Sequence, residues 1–557
     1  MSNGEKQAAA PQASGYSEAG ASLTRRALKG FIPRSSSPLE DIDKNNATLR
    51  QRSRMLYMAA PVATSAIDTN RTKVVGPGLT MKCSINRDVL KISKEEARAW
   101  QHKTEAEWKI WAGKKQNCDA IGMNDFNGLQ QLALKSWLLS GDVFGVVKRY
   151  PTTPLNPYSL RIHMVEADRV CTPSTYAGYT GITEATIPAG KPGAGNRIHD
   201  GVEVNSSGQV VAYHVCSMYP NQYTSDKREW TRVEAYGKKT GLPNILHVTD
   251  TERCDQYRGI PYLAKVIEPM LQLRRYTESE LMAALIQSFF TAWIETETDQ
   301  SAIPFNEVGQ GDIAGVPGAN PGEGQVSQHP NEYEMAPGTV THLAPGEKIK
   351  FGAPNVPTAG FETFVKTICK LIGAGLEIPY DVLIKEFNSS YSASRGALLE
   401  AWEAFRMRRV WLVNRFCQPT YELWLTEAVA RGRIKAPGFF EDPLIRAAWC
   451  GAKWIGPVQG QIDPRKEANA ALALAAKGVK THEMITVELA GGDWESNMEQ
   501  LQHEREMLAA LPGNDTARSQ TIKAATATGT DGKISKAQYE MSHGEREGLS
   551  DADPDAV

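Results

Sequence analysis

Between Tyr262 and Trp293, the residues Leu263, Val266, Ile267, Met270, Leu281, Leu285 and Phe289 recur at roughly helical spacing, which predicts one long helix. Pro269 removes a backbone donor near its start, so a kink is expected there. At 1.5 Å per residue such a helix reaches about 45 to 50 Å, longer than the usual helix of a globular domain. Residues 297–355 then become rich in Gly and Pro (IPFNEVGQGDIAGVPGANPGEGQ), with short strand-like pieces near Thr339 to Leu343 and Lys348 to Phe351. A second helix, about Gly360 to Gly375, returns. The segment GLEIPYDVLIKEFNSSYSASRG breaks the pattern before a third helix runs from near Ser392 toward Ala430, with Leu398, Trp402, Phe405, Leu412, Phe416 and Trp424 on its apolar face. No titratable cluster sits at the corners of this helix, insert, helix, loop and helix arrangement. It suits a radially repeated structural subunit better than an enzyme.

The flanking regions have other characters. Up to about residue 45 the chain is polar and rich in Ala, Ser and Gly, a composition that cannot bury enough apolar surface to order itself alone. Arg25, Arg26, Lys29 and Arg34 make this arm locally basic, which fits either a solvated tail or a docking arm. From Leu56 to Tyr150 the pattern is mainly helical, with Trp100, Trp108 and Trp111 in one amphipathic segment and Leu129, Leu132, Trp137 and Leu138 in another. From Arg161 to Val248 short alternating runs such as RIHMVEADRV and QVVAYHVCSM are separated by turn residues, so a mostly antiparallel sheet is expected. Helices and strands thus fall in separate blocks, an α+β organisation. The end of the chain, after Pro512, is acidic and rich in Gly and Ser, and is expected to be a solvated tail.

Composition excludes several functions. The 557 residues allow three or four structural units, and 62 Lys and Arg against 64 Asp and Glu leave a formal charge of -2. No positive surplus exists for gripping a phosphate backbone tightly. The most apolar run, Leu281 to Ile294, is broken by Gln287, Ser288 and Thr291 and is shorter than the roughly 20 residues of a spanning helix, so no membrane association is expected. The first residues lack the apolar core of a signal peptide. Eight scattered cysteines without a CxxC pair suit reduced thiols in a cytoplasm rather than a disulfide framework or a zinc knuckle.

Enzyme signatures fail in turn. No GxxxxGK[ST] phosphate loop occurs, and no GxSxG nucleophile elbow. His482-Glu483 begins an HExxH pattern, but position 486 is Thr, so a surface helix start is the better reading. Gly373, Gly375 and Pro379 fit a helix end and proline turn better than a Gly-rich ligand loop. No catalytic residue, metal or cofactor is expected.

Several longer stretches share one resemblance. NGLQQLALKSWLLSGDVF, HMVEADRVCTP, DGVEVNSSGQVVAYHV, ILHVTDTERCDQYRGIPYLAKVI, RYTESELMAALI, IPYDVLIKEFNSSYSASRGALLEAW and PTYELWLTEAVARG, in this order over residues 50 to 512, resemble the lambda-type portal proteins of tailed bacteriophages. The resemblance implies the portal fold: a wing of helices and mostly antiparallel strands, long stem helices, a small α/β clip and a helical crown, assembled in a closed ring. It implies an arm at 1–55, wing at 56–260, stem helix at 261–296, clip at 297–355, second stem helix at 356–376, tunnel loop at 377–392, a long wing helix and return at 393–455, crown at 456–512, and a tail at 513–557. The implied role is the portal, or head-tail connector, of a virion. A homo-oligomer of about twelve copies, made in the host cytoplasm, would sit at one capsid vertex. Double-stranded DNA would pass through it during packaging and ejection. Its implied partners are the terminase large subunit, the major capsid and scaffold proteins, and a head-completion (adaptor) protein. The alternative is a DNA-processing enzyme of the packaging machine, a nuclease or ATPase.

A conduit should hold its cargo weakly, because each cation fixed on a phosphate adds affinity that translocation must break. In the implied tunnel loop Lys385, Asn388, Ser389, Ser390 and Tyr391 are candidates for transient phosphate contact. Lys385 serves equally well as an ion-pair partner of Glu386 or of a neighbouring subunit. Arg274 and Arg275 in the stem either face the channel or form salt bridges, Arg274 with Glu278 four residues on. Glu377, Asp381 and Glu386 add negative charge that would discourage sticking. Trp402, Trp411, Trp424, Trp449 and Trp454 fit either the faces between ring neighbours or the core of each subunit.

Overall fold

Regular structure begins well before Leu56. A π-turn at Leu39–Asp43 runs into the helix Lys44–Ala59, whose inner face buries Asn46, Arg50, Ser53 and Leu56. The computed structural model describes residues 25–31, 33–179, 181–222, 227–288, 292–296, 347–351, 360–387, 390–460 and 464–510. The arm expected through residue 55 is therefore helical from Leu39 on. Arg50 is tolerated inside because it pairs with Asp142 and Asp200 and donates to the Ser140 carbonyl, and Asn46 because it donates to the Gly259 carbonyl.

Pro61 starts the next helix, Pro61–Asn70, at a position where its missing donor is not needed. The helix Lys94–Ala112 is set by a capping box between Ser93 and Glu96, and Phe126–Ser140 by the Asp125 carboxylate accepting from the Gly128 N–H. These helices carry the tryptophan cluster. Trp108 lies 5.0 Å from Trp111, 5.1 Å from Phe126 and 5.2 Å from Trp424 between ring centroids. Among the five interface candidates, Trp402, Trp424 and Trp449 are buried within this chain, and Trp411 and Trp454 pack partly buried on the same core.

The strand region is antiparallel, as expected. Strand Asp142–Arg149 sits between Leu160–Glu166 and Ile245–Thr249 in a three-stranded sheet. A five-stranded meander follows in chain order: Glu184–Thr186, Arg197–His199, Val202–Val204, Val210–Cys216 and Trp230–Glu234. A second, smaller apolar cluster that includes Phe144, Val146, Val165, Val204, Tyr213 and Ile245 joins the two sheets. A two-stranded pairing of Thr80–Cys83 with Ala452–Ile455 ties the N-terminal helices to the chain just before Pro457.

The long helix is shorter than the apolar spacing predicts. A 3-10 turn, Ala264–Val266, precedes the helix Ile267–Ser288, about 33 Å long at 1.5 Å per residue. Pro269 falls in its first turn, where N–H groups have no intrahelical acceptor, so the proline requires no kink. Trp293 belongs to a strand, Ala292–Thr296, paired with Glu347–Phe351. Most of the expected clip lies outside the described residues. The return helix Phe361–Gly375 packs on the stem through Tyr276, whose ring is 5.5 Å from Phe361 and 4.7 Å from Phe364.

Helix Tyr391–Leu412 continues through a π segment, Val413–Cys417, into Gln418–Ala430. The wider turn sits just before Pro419, whose ring and missing donor an unbroken α-helix does not accommodate. The chain forms two compact units, divided after Pro457. Among the described residues the second holds the helices Pro464–Ala476, His482–Ala490 and Trp494–Ala510. His482 opens the middle one and is exposed, a surface helix start.

Candidate channel segment and its anchorage

The end of the return helix is a tight fold-back. Added to Gly373, a Cβ would come within 2.5 Å of the Ile378 carbonyl oxygen, so only glycine permits this approach. The Ile378 N–H donates to the Gly373 carbonyl at 2.9 Å, and Glu377 takes a left-handed φ of 53° between them. Pro379 then leads into a short helix, Tyr380–Ile384. Gly373 and Gly375 therefore serve a helix end and not a ligand loop.

Apolar side chains and one arginine pin this segment. Leu376, Ile378 and Leu383 are buried in the main core, and the Ser65 hydroxyl donates to the Leu383 carbonyl at 2.6 Å. Arg408, itself buried, donates to Asn70 Oδ1 at 3.1 Å, the Leu376 carbonyl at 3.3 Å and Glu377 Oε2 at 2.7 Å. Its guanidinium lies 4.9 Å from the centroid of the Tyr262 ring, and the Tyr262 hydroxyl donates to the same Leu376 carbonyl. The stem entrance, the helix Pro61–Asn70 and the helix Tyr391–Leu412 thus converge on the base of one loop. A cavity of about 140 Å³ opens beside it, lined in part by Trp137, Asp250, Tyr262, Glu377, Arg408 and Trp411.

Beyond this base the chain emerges. Lys385 closes the short helix in the left-handed conformation, with φ 63°, and is exposed. Lys366 of the return helix reaches Glu386 at 3.7 Å and Glu362 at 2.6 Å, and the Tyr380 hydroxyl donates to Glu386 at 2.9 Å. Asn388 and Ser389 lie outside the described residues. Ser390 is exposed at the N-terminal boundary of the helix that Tyr391 opens, and the Ser394 N–H donates to its carbonyl at 2.9 Å. In the helix Ile267–Ser288 Arg274 pairs with Glu278 at 2.7 Å, one turn along, and Arg275 is exposed. The negative charge of Glu377 and Glu386 is thus partly neutralised by Arg408 and Lys366.

A second group of charges is buried between the helix Lys44–Ala59, the strand Asp142–Arg149 and Arg258. Arg258 makes a two-pronged contact with Asp142, at 2.6 Å and 3.1 Å, and both side chains are wholly buried. Arg258 also reaches the carboxylate of Asp200 at 2.7 Å and the carbonyls of Val170 and Ala167 at 2.8 Å and 2.9 Å. Arg50, from the first long helix, adds contacts of 3.7 Å to Asp142 and 3.2 Å to Asp200. Burial drives the Asp142 carboxyl upward, but Arg258 and Arg50 outweigh it and hold the group far below the carboxylate range. Asp43 has the opposite balance: burial first, then Asp200 and Asp142, raise it to about 7 against the pull of Arg258 and Arg50.

None of these wing charges was a candidate in the sequence. The only signal near them is the punctuation Arg258-Gly259-Ile260-Pro261, where the pattern changes from strand to helix. Among the described residues no group of three or more His, Cys, Asp or Glu is placed to hold a metal ion, and no helix is long and apolar enough to cross a membrane.

Residues 24–409 match the family model described as phage portal protein, lambda family. The chain belongs to that family. The matched span contains Asp142, Arg258 and Asp200, the helix Ile267–Ser288, the fold-back and Arg408. The chain is 26% identical over 438 residues to portal protein B of Escherichia phage lambda, covering 76% of each chain. It is likewise 26% identical over 475 residues to the portal protein of Escherichia phage N15, covering 82% of this chain and 83% of that one. Among solved structures it is similar to a chain of the neck of a native GTA particle computed with C12 symmetry, at 12% identity and a TM-score of 0.42, covering 80% of this chain and 93% of that one. A lambda-family portal protein is a structural connector of the phage particle and not an enzyme, so the nuclease or ATPase alternative gives way.

Proposed function

We propose that this portal chain forms a closed ring of about twelve copies at one capsid vertex, through which double-stranded DNA is packaged and later ejected. The family match carries this reading, since it spans residues 24–409, a range that includes the helices Ile267–Ser288 and Phe361–Gly375 and the loop between residues 377 and 392. In the ring that loop is the narrow part of the channel. The anchorage by Arg408, Leu376 and Leu383 supports such a role, because a segment sheared by moving DNA needs a fixed base. Lys385, Asn388, Ser389, Ser390 and Tyr391 are then the residues that meet phosphates briefly. Arg275 joins them from the stem, while Arg274 is occupied by Glu278. The terminase large subunit and a head-completion protein dock at the clip, residues 297–355, and capsid and scaffold proteins surround the wing of a ring assembled in the host cytoplasm.

The test is the mass of the purified particle by light scattering, with negative-stain images of the same fraction. A subunit of 61.1 kDa in a twelve-fold ring gives about 730 kDa with a central hole. Particles that stay below a closed ring even when the scaffold protein is supplied would overturn the proposal.

A further inference from the structure

The cavity beside the fold-back contains two sets of similar parts, and only one set is filled. In the first, the Arg408 guanidinium lies 4.9 Å from the centroid of the Tyr262 ring and pairs with Glu377 at 2.7 Å. An aromatic ring and a carboxylate together make a strong site for a guanidinium, because the ring attracts the planar cation and the carboxylate accepts from its N–H groups.

The second set is Trp137, Trp411 and Asp250, which line the same cavity. The two indole rings are 6.0 Å apart between centroids and inclined at 68°, so they offer aromatic surface in two directions. Trp137 is buried and Trp411 is packed partly buried on the main core, which fixes both walls. Asp250 follows the strand Ile245–Thr249 and is partly buried. Among the described residues no cationic side chain comes within ion-pair distance of it, and Arg415 and Lys265 act on its carboxylate only from farther away. Burial is the leading influence on that carboxyl and, with Glu252, raises it above its ordinary value against the Thr251 backbone, Arg415 and Lys265.

The other charges that line the cavity are matched. Lys265 is held by Glu252 at 2.9 Å and Arg408 by Glu377 at 2.7 Å. Asp250 is left over, so the lining carries one negative charge more than it has cations to balance.

We propose that this cavity binds a second guanidinium group, seated against Trp137 and Trp411 with its N–H groups donating to the Asp250 carboxylate. The size agrees, since the cavity of about 140 Å³ is close to the roughly 150 Å³ that admits a molecule as large as benzene. An inorganic cation would leave the aromatic walls unused. An ammonium is more strongly hydrated and would lose more on entering a partly buried site. The guanidinium comes either from a small free molecule or from an arginine of another copy of the chain, and the same chemistry recognises both. Once bound, it would tie the segment after the strand Ile245–Thr249 to the helix Tyr391–Leu412, next to the base of the loop that Arg408 holds.

Methylguanidinium is titrated against the unassembled fraction of the intact chain, and binding is read by saturation-transfer NMR on the ligand. Saturable binding is expected. Asp250→Asn should weaken it by about 10-fold or more, as loss of a hydrogen bond to a charged group does. Methylammonium, which cannot fork onto a carboxylate, should bind less tightly than methylguanidinium. Asp250→Asn keeps the size of the side chain and breaks no ion pair, so an unchanged melting temperature will separate lost binding from lost fold. The same titration on assembled rings distinguishes the two sources. Rings that bind methylguanidinium as the unassembled chain does leave the site to a free molecule, whereas rings that do not bind it have the site filled by an arginine of a neighbouring copy. The proposal fails if the unassembled parent shows no saturable binding, or if Asp250→Asn or methylammonium gives the same affinity. None of these three outcomes depends on ring assembly.

Discussion

Asp142 and Arg258 form a two-pronged pair, 2.6 Å and 3.1 Å, from which solvent is wholly excluded. Asp142 opens the central strand of the three-stranded sheet, and Arg258 stands a few residues ahead of the helix Ile267–Ser288, so the contact ties the approach to that helix to the sheet. The two backbones also touch. Gly141 and Gly259 approach so closely that a Cβ on Gly259 would lie 1.8 Å from the Gly141 carbonyl oxygen. The Gly259 N–H completes the junction by donating to Asp142 at 3.2 Å.

Removing one partner leaves the other charge buried and uncompensated. Asp142→Ala or Arg258→Ala is expected to destabilise the chain by about 3–5 kcal/mol, the range for breaking a buried pair. Asp142→Asn should be only partly better, since it keeps shape and hydrogen bonds but leaves Arg258 with less opposing charge. Chemical denaturation followed by tryptophan fluorescence would show the order parent, Asn, Ala. Equal midpoints for all three would refute the assignment of this pair as the junction.

The glycine contact gives a steric prediction that does not involve charge. Gly259→Ala should prevent normal folding, because backbone lies on the other side of the contact and cannot rotate away. Gly396→Ala is the control: nothing lies within 4 Å of its Cβ and it is inside the helix Tyr391–Leu412, so a gain of up to about 1 kcal/mol is expected. Soluble yield and melting temperature of the two variants distinguish the cases.

What the sequence conveys depends on whether the information is local. The antiparallel region, the return helix and the loop after Gly375 are legible because alternation, helical spacing and Pro or Gly punctuation act over a few residues. The stem is overread for the same reason: Leu263, Val266 and Phe289 continue the helical spacing, but Leu263 and Val266 are buried in the approach to the helix and the chain has turned to a strand by Ala292. The polar face of the helix Lys44–Ala59 reads as solvated, yet Arg50 finds Asp142 and Asp200 only once distant strands have come together. Arg408 is likewise one of several arginines on a helix until the fold brings Leu376, Glu377 and Asn70 to it. Buried polar partners drawn from separate elements of the chain leave no local pattern.

Asp43 gives the stability of the chain a pH dependence of defined sign. Its folded pKa of about 7 lies above the ordinary carboxyl value, so the folded state binds its proton more tightly than the unfolded chain does. Its contribution is favourable at low pH and is lost as pH rises from about 4 through 7. Asp43→Asn removes this titration. The variant is expected to match the parent near pH 4.5 and to exceed it at pH 8, by an amount on the order of 1–3 kcal/mol. Urea unfolding at the two pH values checks it, and a variant advantage that is the same at both would sink the idea.

Arg408 is expected to hold the base of the loop. Arg408→Ala leaves the Leu376 carbonyl and Glu377 without their cation, a loss of about 1–3 kcal/mol concentrated at the fold-back. Arg408→Lys keeps the charge but not the fork that reaches Asn70 and Leu376 together, so it should rescue only in part. Limited proteolysis reads this directly. Cleavage between residues 377 and 392 should quicken in the order parent, Lys, Ala while cleavage in the wing is unchanged, and equal rates would show that the apolar contacts alone fix the segment.

Lys385 allows conformation and charge to be tested separately. Its φ of 63° is a left-handed geometry that costs a non-glycine residue about 1 kcal/mol, so Lys385→Gly should fold at least as stably as the parent while losing the charge. Lys385→Arg keeps the charge and pays the same conformational cost. If the cation meets phosphates in passing, Lys385→Gly rings should assemble normally but protect less DNA from nuclease per particle, and Lys385→Arg should package like the parent. Lys385→Glu, which adds repulsion to the lost attraction, should package least of the three. The melting temperature of each ring separates this result from a folding defect. Parental packaging by both the Gly and the Glu variants would mean that the charge at this position serves no step of DNA passage, and the exposed lysine would then be a solvated helix end.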